Sequence, residues 1–290
     1  PILTGAETVP EALLIECARH GVQAHRAMIA RRLDLTTSIA DILVECDEAE
    51  VSKILLQRDE YALSPNAVDL LVARSAAEPE LQPLLLRRRE LEPAHGFMMF
   101  WWVSAERRRR IFSRFALDRT TIQDALKDLY QPVFAAANPD PLVKRILVMN
   151  ERRHRPRGVN GESVEMDVVL KTLAISQRQE SNELLDAIGM LGGVSRELAA
   201  RILRDDTGEA FAVLCKSLGV PRDQYFQFIN QEDALEKIDE DRAEELLAFF
   251  DSMARDFSRA VLRYWDWDGN PRIARITGLL SFDDGLGWSD

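Results

Sequence analysis

Apolar residues recur at helical spacing along most of the chain, and a longer pattern of about 28 residues repeats in its N-terminal third. Three segments align on Leu35, Leu63 and Leu91. In each, a Thr, Ser or Glu helix-start residue follows the leucine, and an apolar pair comes six to seven residues after that. A period of this length is typical of stacked helical repeats. Extended β-branched alternation is absent, so the sequence predicts an all-α protein.

The helices of this pattern are short, and prolines mark their starts. Pro65, Pro79 and Pro93 fall near first turns, where a missing N–H does no harm. Helices this short do not persist alone in water, so successive pairs must bury their apolar faces on one another. We therefore expect a helical-repeat solenoid, followed by a helical bundle and by an acidic C-terminal helix.

The predicted domain boundaries follow changes in composition. Residues 152–161 are rich in Arg, Pro and Gly, which is typical of an exposed loop. We predict a helical-repeat domain over residues 1–155 and a helical bundle over 156–231. An acidic amphipathic helix is expected over 232–265, and an irregular tail over 266–290.

Charge is unevenly distributed between these parts. The net charge is −11; residues 1–157 carry 23 basic and 22 acidic residues, whereas residues 158–290 carry 14 and 26. The acidic C-terminal half argues against nucleic-acid binding there. The nearly neutral N-terminal half leaves that question open.

The cysteines and histidines form no recognisable site. Cys17, Cys46 and Cys215 are too few for a disulfide framework and suit a reducing compartment. Cys17 and Cys46 fit stacked core positions; a metal or redox pair is the alternative, but neither has a CxxC partner. The four histidines are scattered. The sequence predicts no catalytic residue, no metal site and no cofactor.

Targeting signals are also lacking. No apolar run approaches the ~18 residues of a membrane span, and the N-terminus has no signal-peptide pattern. We expect a cytoplasmic protein without a membrane partner. The chain starts at Pro1 without a methionine, so upstream residues are expected to be missing.

Arginines recur near the end of the second helix of each predicted repeat, where they would form an arginine ridge. Guanidinium groups bind carboxylates and phosphates bidentately, so these positions are candidates for partner binding. The alternative is structural: basic residues complement the helix macrodipole and pair with Glu90, Glu92 and Glu106. The candidates are Arg31, Arg32, Arg58, Arg87, Arg88, Arg89, Arg107 and Arg110.

Two consecutive tryptophans complete the set of candidate binding residues. Trp101 and Trp102 cannot both face the same core on a helix. We predict that one covers a junction between repeats and that the other anchors a partner or an oligomer interface. Packing inside the protein is the alternative for both.

Two segments resemble a known family. Phe97–Leu126 and Ala200–Leu218 are similar to the bacterial domain of unknown function family 2336, and Leu35–Met99 resembles HEAT or leucine-rich-variant repeats. The resemblance covers residues 35–230 and implies an all-helical cytoplasmic bacterial protein. It contains no catalytic motif and so implies no active-site residues. The acidic helix after residue 231 lies outside it.

These observations predict a non-enzymatic scaffold that binds another protein, with an acidic segment as one candidate partner. A nucleic-acid-binding helical-repeat protein that uses the same arginines is an alternative. An enzyme with a site between the two helical units is a second alternative. A further hypothesis places the acidic helix against the arginine ridge as an internal cap. The sequence assigns neither the partner nor the oligomeric state.

Overall fold

A computed structural model of the chain describes residues 9–116, 164–178, 181–230, 239–267 and 271–280. The regular elements within these ranges are sixteen α-helices, without a strand. The prediction of an all-α protein is therefore confirmed. None of the helices described has the length and apolar character needed to cross a lipid bilayer.

The chain divides into two compact units. Unit 1 comprises Pro1–Ile111 and Pro271–Asp290, and unit 2 comprises Phe112–Asn270. The division falls within a helix near residue 111, whereas the predicted boundary at 155 lies outside the described residues.

Eight helices follow one another in the first part of the chain. They are α1 Glu11–His20, α2 Gln23–Ala30, α3 Thr37–Glu45, α4 Ala49–Leu56, α5 Pro65–Arg74, α6 Gln82–Leu85, α7 Pro93–Met99 and α8 Ala105–Phe115. The prolines predicted near first turns begin α5 and α7, whereas Pro79 precedes α6, which is a single turn.

The helix starts account for the 28-residue spacing. Thr36, Ser64 and Glu92 are the N-cap residues of α3, α5 and α7, at intervals of 28 residues. Thr36 and Ser64 accept hydrogen bonds from the backbone N–H groups of Ile39 and Ala67 through their side-chain oxygens. Such caps satisfy amide groups that the first helical turn leaves without partners.

Alternate helices of unit 1 stack on one another. α1 contacts α3, α3 contacts α5, and α5 contacts α7; in the same way α2 contacts α4 and α4 contacts α6. The apolar side chains between these layers, such as Ile39, Leu43 and Leu71, are fully buried. Helices α3, α4 and α5 are thus each stabilised by a helix of the pair before and a helix of the pair after.

The end of the chain returns to unit 1. Residues 266–290 are expected to be irregular, but Pro271–Thr277 forms helix α16, which contacts α5 and α7. The prediction is wrong for this segment because Ile273 and Ile276 find a buried position on unit 1. Residues 281–290 lie outside the described part.

Unit 2 contains the remaining helices of the described chain. They are α9 Met166–Ser176, α10 Asn182–Gly192, α11 Arg196–Leu203, α12 Glu209–Leu218, α13 Arg222–Ile229, α14 Glu240–Asp251 and α15 Arg255–Trp265. Gly193 ends α10 in the left-handed conformation, at φ 65°, and Ser195 caps α11. Glycine adopts this φ without the steric cost that a Cβ imposes.

Helix α12 lies at the centre of unit 2, where it contacts α10, α11, α14 and α15. An aromatic cluster surrounds it. The ring of Tyr225 stacks on Phe250 with centroids 4.5 Å apart, and Phe211 packs against Phe228 at 6.1 Å. This aromatic and aliphatic burial is the main source of stability for the unit.

The acidic segment after residue 231 is not one helix. Its described part forms α14 and α15, which are separated at Ser252–Ala254. Phe249 and Phe257 are buried, and both helices pack on α12. The single helix predicted over 232–265 is therefore wrong in its described part, because the break at residues 252–254 lets each helix pack its own apolar face on α12.

Removing a buried leucine tests the stacking in unit 1. Leu43 on α3 is fully buried, so Leu43→Ala is expected to lower the free energy of unfolding by about 2–5 kcal/mol. Leu33 is 89% exposed, and Leu33→Ala is expected to change it by less than about 0.5 kcal/mol. Urea denaturation followed by circular dichroism measures both. Equal effects would contradict the packing described.

Candidate interaction surface

Six of the eight predicted arginines lie in the turns that follow α2, α4 and α6. Each turn has the same local pattern: an arginine, one further residue, and an acidic residue. The three triplets are Arg32-Leu33-Asp34, Arg58-Asp59-Glu60 and Arg88-Arg89-Glu90. We call Arg32, Arg58 and Arg88 the arginine ladder.

Each ladder arginine pairs with the acid two residues later. Arg32 donates to both carboxylate oxygens of Asp34, at 2.7 and 2.8 Å. Arg88 does the same to Glu90, at 2.6 and 3.2 Å. Arg58 reaches Glu60 at 3.3 Å. Paired geometry of this kind holds the planar guanidinium in one orientation.

The ladder also connects successive turns. Arg58 donates through Nη1 to the carbonyl oxygens of Ala30 and Arg32, at 3.0 and 2.7 Å. Arg88 donates to the carbonyl oxygens of Arg58 and Tyr61, the latter at 2.9 Å. Ala30 is the last residue of α2, where a carbonyl has no partner within the helix, and the other three acceptors lie in the turns after α2 and α4. Arg58 and Arg88 therefore satisfy carbonyl groups that the preceding helix pair leaves open.

Tyr61 lies between two ladder residues. The guanidinium carbons of Arg58 and Arg88 are 6.0 and 5.7 Å from its ring centroid. Its hydroxyl donates to the carbonyl oxygen of Leu55 at 2.6 Å. Burial raises the pKa of Tyr61 far above its ordinary value, although the two arginines oppose this. The phenol therefore stays protonated and acts as a donor.

The acids of the ladder are held ionised. Hydrogen bonding from Arg32 lowers the pKa of Asp34 below its ordinary value. For Glu90, burial raises the pKa, but hydrogen bonds from Arg88 and from backbone amides outweigh it, so that the net pKa is lowered. The charges of these pairs are mutually compensated.

The arginines of the predicted ridge therefore fall into two groups, one engaged inside the protein and one exposed. Arg88 is 2% exposed, Arg32 is buried and Arg58 is half-buried, so none of the three presents a free guanidinium. The residues on either side of them are exposed. This exposed row consists of Arg31, Leu33, Gln57, Asp59, Arg87 and Arg89. Both residues are basic at the third turn, whereas the first turn has one arginine and one leucine and the second has Gln57 and Asp59.

The remaining candidates occupy different environments. Arg107 is half-buried and donates to the side-chain oxygen of Gln82 at 2.8 Å, whereas Arg110 is exposed. Trp102 donates through its indole N–H to the hydroxyl of Ser75 at 3.0 Å. Trp101 packs edge-on against Phe100, with centroids 5.4 Å apart. Both tryptophans are half-buried and take part in packing within unit 1.

The sequence does not predict the buried His95–Asp69 pair that the structure contains. Nε2 of His95 lies 2.7 Å from Oδ1 of Asp69, and both side chains are almost fully buried. The backbone N–H of Glu92 donates to Nδ1 of His95 at 3.0 Å, so Nε2 carries the proton that Asp69 accepts. Both ring nitrogens are engaged, and the imidazole fixes the start of α7 instead of acting as a base. Its position three residues after a helix start is the signal that could have identified it.

The cysteines and acids of the described residues are a further set of candidate reactive groups. Among the described residues, no three His, Cys, Asp or Glu side chains are grouped to hold a metal ion. Cys215 is fully buried, and burial raises the pKa of its thiol, which disfavours the reactive thiolate. Cys46 donates weakly through Sγ to the carbonyl oxygen of Ala18 at 3.5 Å.

One open cavity, of about 290 Å³, lies in unit 2 between α10 and α11. Asp186 and Arg196 line it and neutralise each other through two hydrogen bonds of 2.6 Å. This cavity offers a closed ion pair rather than an unsatisfied group, so the exposed row is the better candidate for binding.

Truncating the ladder tests its structural role. Arg88→Ala is expected to lower the free energy of unfolding by about 3 kcal/mol, because Glu90 and two carbonyls lose a buried partner. Arg87→Ala and Arg89→Ala remove exposed neighbours and are expected to cost less than about 0.5 kcal/mol each. Urea denaturation gives all three values. A loss at Arg87 as large as that at Arg88 would refute the ladder.

The pKa of Glu90 predicts how its contribution depends on pH. A lowered folded-state pKa stabilises the fold above the unfolded-state pKa of about 4.3, and this contribution is lost as the pH falls through the folded value. Glu90→Gln is expected to cost about 1–3 kcal/mol at pH 7, and less below pH ~4.

Thermal denaturation between pH 3 and pH 7 measures this difference. Glu50→Gln, at an exposed position on α4, serves as the matched control, and its effect on the melting temperature should be small across this pH range. A Glu90→Gln deficit that stays constant down to pH 3 would contradict the assignment.

Comparison with known proteins agrees with the resemblance seen in the sequence and extends it. No curated protein and no solved structure matches the chain. Residues 1–263, most of the chain, match one family. The matched region is longer than the expected range of 35–230, since it also includes α14 and most of α15. The chain belongs to the family described as uncharacterised protein conserved in bacteria, DUF2336.

Proposed function

We propose that this chain is a non-enzymatic protein–protein interaction scaffold of the bacterial cytoplasm. In this proposal the first four helix pairs form a short HEAT-like solenoid, and the exposed row binds another protein. One observation carries the proposal: the arginine ladder holds three consecutive turns in register. Because the turns are in register, the side chains that flank the ladder form one continuous exposed series.

The chemistry of the row favours a protein partner over nucleic acid. Phosphate backbones require a basic track that follows the strand. Here Asp59 and Gln57 interrupt the basic positions at the middle turn, and Asp59 is 72% exposed. Arg87 and Arg89 instead form a local basic pair, which suits a carboxylate-bearing segment of a protein.

The use of reactive groups inside unit 1 supports a non-enzymatic role. His95 and Asp69 are close enough to act as a general-base pair, but both ring nitrogens of His95 are occupied by structural hydrogen bonds. Tyr61 and Arg88 are likewise engaged with backbone carbonyls. Groups fixed and shielded in this way are suited to rigidity rather than to proton transfer with a substrate.

Charge reversal on the row tests the proposal. Partners are captured from native lysate at low and moderate salt with three proteins: wild type, the row variant Arg87→Glu/Arg89→Glu, and a control. The control, Arg19→Glu/Lys171→Glu, reverses two exposed charges on α1 and α9. Captured proteins are then purified and titrated directly. The row variant is expected to lose affinity by about tenfold or more, and the control to keep it.

Two results would overturn the proposal. Equal affinity of the row variant and wild type for the purified partner would exclude the row as the binding surface. Recovery of nucleic acid that disappears as salt rises would indicate phosphate binding instead. Thermal denaturation of each variant establishes that the fold is retained.

A further inference from the structure

Helix α16 covers a surface that α5 and α7 form. It contacts both helices, although Arg275 and its partner Asn66 are 209 residues apart in the sequence. Ile273 and Ile276 are fully buried. They are three residues apart and therefore lie on the same face of α16, which is the face turned toward α5 and α7.

Polar contacts set the orientation of α16 on this surface. Arg275 donates through Nη2 to Oδ1 of Asn66 at 2.6 Å, and its Nε lies 3.3 Å from Oδ2 of Asp69. Asn66 and Asp69 are three residues apart on α5. The arginine between the two isoleucines thus reaches the rim of the surface while the isoleucines fill it.

The acceptor for Arg275 is held in place by unit 1 itself. Asp69 is 2% exposed and its other oxygen is bonded to His95 on α7. His95 is in turn fixed by the backbone N–H of Glu92. A buried carboxylate positioned by a neighbouring helix, with one oxygen directed to a cation on an added helix, is a preformed recognition feature.

The surface and its cover belong to different parts of the chain. α5 and α7 lie inside the family region, residues 1–263, whereas α16 begins at Pro271, after the family region ends. A helix of seven residues does not persist alone in water, so α16 is ordered by the surface on which it packs.

We propose that the surface formed by α5 and α7 binds an amphipathic helix of a partner protein, and that α16 is an intramolecular occupant of the same site. The partner helix carries two aliphatic residues three positions apart with an arginine between them, as in Ile273-Ala274-Arg275-Ile276. The apparent association constant for the partner is then the intrinsic constant multiplied by the fraction of molecules in which the tail is undocked.

This proposal rests on the proposed function, since it names a partner class for unit 1, but it concerns a different surface. The exposed row follows α2, α4 and α6, whereas this site is on α5 and α7. A failure at one surface therefore leaves the experiment at the other unaffected.

The test uses the full chain and a fluorescent peptide of residues 268–280 as the probe. Ile273→Asp/Ile276→Asp replaces the buried isoleucines and releases the tail. This variant is expected to bind the peptide at least about tenfold more tightly than wild type does, by fluorescence anisotropy. Leu279→Asp, a change at an exposed position of the tail, should bind as wild type.

A second peptide tests the polar contact. The same peptide with Arg275→Glu is expected to bind the released variant at least about tenfold more weakly, because a carboxylate would face Asp69. Equal binding of the two peptides would overturn the proposal, since it would indicate non-specific apolar association.

Three further outcomes would also overturn it. The released variant could fail to bind the peptide at all. It could lose helical circular dichroism or cooperative unfolding, which would make α16 a permanent part of the core. Wild type could elute as a dimer that the released variant does not form, which would place the tail on a second copy instead.

Discussion

The turns that join the helix pairs of unit 1 carry carbonyl groups outside the helical hydrogen-bond pattern, and arginines from the next turn along the chain satisfy them. Arg58 and Arg88 each donate to two carbonyl oxygens of the preceding turn while an acid two residues later holds the guanidinium in plane. The cation also complements the negative end of the helix macrodipole. Stacking of apolar faces alone would tolerate sliding, whereas these directional bonds fix one register between helix pairs.

This use of charge decides which surfaces remain available. Arginines that serve the ladder are withdrawn from solvent, and only their neighbours in the turns are exposed. The same principle operates around Asp69, whose burial is balanced by His95 and Arg275. Arg88 likewise has two acidic partners, Asp59 and Glu90, since an isolated buried charge would be too costly.

Unit 2 is organised by apolar burial rather than by such bonds. Helix α12 is almost completely buried, and aromatic rings from α13 and α14 meet around it. The acidic residues of α14 remain on the outside, while Phe249 and Phe250 point into the bundle. Amphipathic helices of this kind combine a high net negative charge on the outer face with an apolar face that packs in the core.

The sequence by itself determined the helices and their starts, because periodicity, N-cap residues and prolines act within a few residues. Thr36, Ser64 and Glu92 begin helices as their spacing predicts. Only the tertiary structure decided which arginines are buried, because Arg58 and Arg88 bond to carbonyls 26–30 residues away. It also decided the break between α14 and α15 and the return of α16 to α5, since burial against distant helices overrides the composition of the tail. Local chemistry specifies elements, whereas the partners of a charged or apolar side chain depend on which distant helices pack beside it.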